Sequence, residues 1–177
     1  MTHPPFSISV LTSSTPSTQL RINSLRIGYT EYVDLKKLAK EILEKGHLMS
    51  LATLDDGGVW VADVIYIFDD ELNIYWMSDP DVRHSRAILK NNQVAGAITI
   101  SNKSKEPNLC IQFSGIAEKI DGPRFDLATK HLTKRGLPIP KETDDVLQGD
   151  SWYMLRPKFM DLINEELWGY EKKKLQF

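Results

Sequence analysis

The chain carries one cysteine, Cys110, in 177 residues. That excludes an intrachain disulfide and any zinc or iron-sulfur site that needs several thiolates. Long apolar runs are missing too: the longest, Val59 to Phe68 (broken by Asp63) and Val94 to Ile100, fall well short of the roughly 20 residues a spanning helix requires. Neither sign of charge dominates, since 22 basic residues against 24 acidic ones leave a net charge of −2. The chain therefore offers no bulk attraction to nucleic acid or to an anionic membrane. G-x-G-x-x-G, Walker, H-E-x-x-H and G-x-S-x-G signatures are all lacking. His3, His47, His84 and His131 stand far apart without ligand spacing, so they read as surface or capping residues and no metal site is expected. These absences predict a single soluble cytoplasmic domain that binds neither nucleic acid nor membrane.

Residues 1–18 hold twelve Ser, Thr or Pro residues, and no acid precedes Glu31. Such composition cannot supply periodic apolar packing, so residues 1–30 are expected to form a flexible tail and residues 31–177 the folded domain. Ordered structure is predicted to start with a helix from Asp34 to Lys45, where Leu35, Leu38, Ala39, Ile42 and Leu43 repeat at helical spacing. Asp34 can cap it and Gly46 can end it. Three β-rich segments follow, His47–Leu54, Val59–Phe68 and Leu72–Ser78, joined by Asp55-Asp56-Gly57-Gly58 and Asp69-Asp70-Glu71; this is the pattern of an antiparallel meander.

Asp79-Pro80-Asp81 is expected to open a short helix running to Asn91, with proline in its first turn and an aspartate as cap. A strand over Val94–Ile100 and a long strand over Leu109–Ile120 come next, and Gly115 marks a bulge or bend in the latter. Pro123–Arg135 reads as helix, Asp144–Gln148 as a further helical turn, and Trp152–Leu155, Phe159–Ile163 and Leu167–Tyr170 as closing strands. A sheet of this many short strands avoids open edges by closing on itself. The fold class expected is therefore α+β, mainly β: a small antiparallel barrel with peripheral helices.

The stretch Ile74-Tyr75-Trp76-Met77-Ser78 runs into a helix whose first turn carries Arg83 and His84. Free N–H groups at a helix start and a guanidinium suit a phosphate; pairing of Arg83 with Asp79 or Asp81 would use the same features without a ligand. A bare phosphate binds weakly, so a ligand with a flat apolar body is indicated, and Trp60, Tyr66, Tyr75 and Trp76 could face it or fill the core. Alternation in Cys110-Ile111-Gln112-Phe113-Ser114-Gly115 puts Gln112 and Ser114 on one face of a strand, toward a ligand edge or toward water.

The order of these motifs, with Asn91-Asn92-Gln93-Val94-Ala95-Gly96 leading into the strand before Gln112, resembles the FMN-binding split barrel of the pyridoxamine 5'-phosphate oxidase-like proteins, over residues 46–120 and more loosely 152–170. The resemblance implies a homodimer with FMN at the subunit interface. By position, Trp76, Met77 and Ser78 would lie along the flavin, Arg83 and His84 would hold its phosphate, Gln112 would add a polar contact, and Trp168 would approach from the second copy. The family has Arg-Lys where Arg83-His84 stands. It also has a basic residue on the second strand and an Arg-x-His pair near the C-terminus, where this chain has neither and reads Glu166-Leu167-Trp168-Gly169-Tyr170. These departures weigh against oxidation of vitamin B6 itself. What remains implied is a flavin-dependent oxidoreductase of unassigned small-molecule substrate, with no catalytic side chain identified, or a non-catalytic flavin carrier or sensor.

Overall fold

A computed structural model of the chain describes residues 19–22, 31–101 and 103–177. Strand β1 (Gln19–Ile22) pairs antiparallel with β2 (Glu31–Asp34) as a separate two-stranded sheet. The expected tail thus contains a strand at Gln19–Ile22; the rest of residues 1–30 lies outside the described residues.

Helix α1 (Leu35–Lys45) forms where the apolar spacing places it, and it buries Leu35, Ala39, Ile42 and Leu43. The Asp34 carboxylate accepts from the amides of Lys36 and Lys37 at 3.0 and 3.1 Å, satisfying donors that the helix itself leaves unpaired. Gly46 ends the helix with its N–H on the Ile42 carbonyl, in ordinary extended backbone (φ −75°). Its lack of a side chain matters for space instead, because a Cβ there would run into the Tyr66 hydroxyl and Ile98.

Strands β3 (Leu48–Asp55), β4 (Gly58–Phe68) and β5 (Ile74–Ser78) form the expected meander, followed by helix α2 (Arg83–Lys90), β6 (Gln93–Thr99), β7 (Leu109–Ile120), helix α3 (Phe125–Lys134), β8 (Ser151–Asn164), a single turn α4 (Glu165–Trp168) and β9 (Lys172–Gln176). The strand order is β5-β4-β3-β6-β7-β8-β9, and β5 also pairs with β8. Six antiparallel strands therefore close into a barrel with an additional strand, flanked by four helices, which is the split-barrel α+β class. The core is filled by Tyr66, Trp76 and Tyr153 together with Met49, Leu51, Ile98, Phe113 and Met160.

Strand β8 explains both the closure and the split. Its first half, Ser151–Leu155, pairs with β5, and its second half, Phe159–Ile163, pairs with β9, while β7 runs along its other edge throughout. The two closing strands expected at Trp152–Leu155 and Phe159–Ile163 are thus one. Pro157 does not break it because it pairs with Gly115 beside a bulge that leaves Lys158 without a partner on β7, where a residue with no N–H to donate is tolerated. Gly115 is required there, since a Cβ would collide with the Arg156 carbonyl and Pro157.

Three further expectations are corrected. Leu167–Tyr170 is not a strand: Asn164 caps the short α4, its side chain accepting from the Leu167 amide at 3.1 Å, and the last strand is the lysine-rich β9. Asp144–Gln148 makes turns held by the Asp145 carboxylate rather than helix. The strand after the Asp69 turn begins at Ile74, not Leu72, because the Asp69 carboxylate gathers the amides of Glu71 and Asn73, the Asn73 side chain and the Tyr75 hydroxyl into one turn.

Candidate functional site

The candidate anion site is assembled from the β3–β4 hairpin and α2. Asp79 spends its carboxylate on the Asp81 amide at 2.7 Å, in a turn that precedes the helix. Helix α2 then starts at Arg83 after Val82, with no side-chain cap. Proline 80 and the two aspartates lie outside the helix they were expected to open. The buried face of α2 carries His84, Ser85, Ala87 and Ile88. Arg83, Arg86 and Lys90, at helical spacing i, i+3 and i+7, share the opposite side, facing Asp55, Asp56 and Gly57 across a pocket of about 170 Å³.

Arg83 pairs with neither Asp79 nor Asp81. Its Nε donates to Asp55 Oδ2 and its Nη2 to Asp55 Oδ1, both at 2.8 Å. The guanidinium lies 4.7 Å from the centre of the Trp60 ring, a cation-π distance. The hydrogen bond from Arg83 is the main reason the Asp55 carboxyl falls to about pKa 2, and the same bond raises the Arg83 pKa. Gly57 allows this approach, because a Cβ would press on Arg83 Nη2. Lys90 pairs with Asp56 at 2.9 Å on the exposed rim, a contact of little energetic weight. Arg86 makes no ion pair among the described residues and is exposed. It is the cation in this pocket free to meet an incoming anion.

The other expected site residues separate into groups. Met77 and Ser78 are half-buried at the end of β5, next to the turn that leads into α2. Trp76 is fully buried in the barrel, stacked on Tyr153 with ring centres 5.6 Å apart, so its side chain cannot serve as a ligand wall. Tyr66 is equally buried, its hydroxyl donating to the Leu43 carbonyl. Alternation along β5 and β4 points both rings inward.

His84 is 8% exposed, and its Nε2 lies 2.8 Å from the Ser78 hydroxyl. Burial pushes its pKa down, which keeps the ring neutral near pH 7. It is turned into the barrel rather than toward Arg83 and Arg86.

Gln112 is exposed on β7, as the alternation predicts, and accepts from Lys172 Nζ at 2.6 Å. Its strand partners are Ala97 and Asp161, so one chain does not bring it beside Trp76–Ser78. Trp168 packs against the core of its own barrel, and its indole N–H is buried without a partner. Sequence spacing did not single out Asp55, Gly57 or Arg86. The signal for Arg86 was its position one helical turn beyond Arg83; Asp55 carried none beyond its place in a turn.

The hairpin also carries an apolar face. Leu54 lies opposite Val59 in the register, and Val61 follows two residues on; all three are exposed, Val59 to 72%. Trp60, on the other face, remains 44% exposed above Arg83.

No known family profile matches the sequence. The UPF0306 protein YhbP of Escherichia coli O157:H7 (strain EC4115 / EHEC) is 26% identical over 136 residues, covering 75% of this chain and 86% of that protein. Among solved structures, the heme binding protein from Mycobacterium smegmatis superposes with TM-score 0.62 at 18% identity over 80% of this chain and 57% of its own. A Listeria innocua protein called "Putative Pyridoxamine 5'-phosphate oxidase" superposes with TM-score 0.58 at 12% identity, over 73% of this chain and 98% of its own. At these identities the likeness concerns architecture alone: the chain has the split-barrel fold of the pyridoxamine 5'-phosphate oxidase-like proteins.

Proposed function

We propose that the protein binds FMN at the interface of a homodimer and acts as a flavin-dependent oxidoreductase on a small molecule. The observation that carries this reading is the cationic face of α2, entered directly from β5 of a split barrel and bordered by a hairpin with an exposed apolar face. The phosphate end of FMN fits the residues present. Arg83 Nη1 is not used by Asp55, Arg86 has no ion-pair partner among the described residues, and a pocket of about 170 Å³ suits a phosphate. The same pocket is too small for a tricyclic ring, since sites for ligands of that size span roughly 300–1,000 Å³. The ring therefore needs a second wall.

A second copy of the chain supplies it. Leu54, Val59 and Val61 form a continuous apolar face on the very hairpin whose turn borders the phosphate pocket, and burying such a face is what drives association. In this arrangement Arg83 and Arg86 hold the phosphate, and Met77 and Ser78 line the approach to it. His84 acts indirectly, its neutral ring fixing the Ser78 hydroxyl at the end of β5. Gln112, exposed on β7, is offered to the neighbouring copy. FMN, when bound, supplies hydride and single-electron transfer. The chain's own residues bind and orient it.

The name of the Listeria innocua neighbour supports a flavin; that of the Mycobacterium smegmatis neighbour points to haem. Haem is less favoured at this pocket because His84 Nε2 is engaged by Ser78, His131 is 4% exposed, and the exposed His47 does not line it. No described helix is long and apolar enough to cross a membrane. We place the protein in the cytoplasm on its cysteine content.

A visible absorption spectrum of the purified full chain, before and after addition of FMN, tests the reading. A flavin spectrum that NADH or NADPH bleaches, with onward transfer to an acceptor, is the expected result. A bound flavin that neither nucleotide reduces would instead identify a carrier or sensor. Colourless protein that takes up no FMN, or a haem Soret band, overturns the proposal.

A further inference from the structure

A cavity of about 680 Å³ opens between α1, α3 and the end of β4, and shares no residue with the Arg83 pocket. Its volume falls in the range of small-molecule sites, roughly 300–1,000 Å³. Ile67 and Phe68 contribute apolar surface, and Lys134, in the last turn of α3, projects into it half-buried. The Lys134 ammonium lies 3.7 Å from the centre of the Tyr66 ring and makes no ion pair among the described residues. Burial pushes its pKa down to about 8, against a weaker upward pull from Glu44 on α1. An amine in that condition is a nucleophile near neutral pH.

The rim is asymmetric. Glu41 and Glu44 line the α1 side, and Asp69 and Asp70 line the turn after β4, where the Asp69 carboxylate is taken up by Glu71, Asn73 and Tyr75. Lys40, also on α1, is tied to Asp70 at 2.6 Å. On the α3 side, Lys130 stands one turn before Lys134 on the same helix face and makes no ion pair among the described residues. A ligand with one acidic group would turn it toward α3, away from Glu41, Glu44 and the Asp69-Asp70 turn.

We propose that this cleft binds a small 2-oxo acid, with Lys134 as the amine that attacks its carbonyl carbon and Lys130 as the counterion of its carboxylate. The neutral amine adds to the carbonyl, a C–N bond forms, and the carbonyl oxygen leaves as water. The product is a reversible imine, and no electrons are transferred. This site does not depend on the flavin reading.

The test is reductive trapping. The full chain is incubated with pyruvate and sodium cyanoborohydride, which delivers hydride to the imine, and the adducts are mapped by peptide mass spectrometry. Labelling of Lys134 on the order of tenfold faster than of exposed lysines such as Lys37 is expected, and Lys134→Arg removes that fast adduct. Lys130→Gln should slow trapping of pyruvate roughly fivefold while leaving propanal, which has no carboxylate, unchanged. Labelling of Lys134 no faster than Lys37 overturns the proposal. So does a Lys130→Gln variant that treats pyruvate and propanal alike.

Discussion

Asp55 holds Arg83 side-on, with Oδ2 on Nε and Oδ1 on Nη2, and this clamp both orients the guanidinium and cancels part of its charge. The remaining edge of Arg83 is left for a ligand. Arg83→Ala should weaken FMN roughly tenfold to a hundredfold, the scale of a lost hydrogen bond to a charged group. Riboflavin, which has no phosphate, should be unaffected. Asp55→Asn keeps an acceptor for the Gly57 amide but removes the negative charge facing the phosphate, so FMN affinity should rise roughly three- to tenfold. Fluorescence titration with both ligands checks these outcomes.

The exposed hairpin face predicts the assembly. Val61→Asp places a carboxylate in the middle of the face that Leu54 and Val59 complete. Sedimentation should show the wild-type chain as a dimer and the variant as a monomer that retains its β-sheet circular dichroism. A wild-type monomer would leave the flavin ring without its second wall.

His131 makes a pH-dependent contribution to stability. It is buried edge-on to Trp152 with ring centres 5.7 Å apart. Its pKa falls to about 4, first because of burial and then through repulsion by Arg135, Lys134 and His47. The folded pKa lies below the unfolded value of 6.5, so the unfolded chain binds the proton more readily between the two. Stability is then fully present above pH 6.5 and is lost as pH falls from there toward 4, by ~2–3 kcal/mol in all. His131→Leu should flatten this part of the curve in urea unfolding measured across that window, relative to the wild type.

Gly115 marks the point where β8 changes partner. A methyl group there meets backbone atoms of Arg156 and Pro157, which cannot yield as a flexible side chain would. Gly115→Ala should therefore destabilise the fold by about 1–3 kcal/mol in urea unfolding. The neighbouring Ser114→Ala, on a half-buried side chain, should stay within about 0.5 kcal/mol.

Much of this architecture was legible in the sequence because its local signals are strong and agree with one another. Asp34 before a helical repeat, turn-formers between alternating strands and a glycine inside Leu109–Ile120 each specify backbone by local chemistry. The errors fall where tertiary context decides. Pro157 looks like a break until a bulge in β8 at Lys158, beside it, sets it opposite Gly115 of β7. Lys172-Lys173-Lys174 shows no alternation because β9 pairs with one neighbour and buries only Leu175. Leu167-Trp168-Gly169-Tyr170 looks like a strand, yet Asn164 followed by Glu165 and Glu166 is a helix start. At the site, Arg83 was identifiable as a cation at a helix entrance, but its partner Asp55 lies 28 residues away, and no spacing rule connects them. His84 and Trp76 stand beside Arg83 and Met77 in sequence but are buried, because neighbours on a strand or helix point in different directions.

The most direct test is a parallel titration of the untreated full chain with FMN and with riboflavin, followed by flavin fluorescence, with the sedimentation coefficient read at saturation. One FMN per chain, bound at least roughly tenfold tighter than riboflavin by a dimer, is predicted from a phosphate held by charged groups. Equal affinity for the two ligands, or no binding of either, would contradict an FMN site anchored at Arg83.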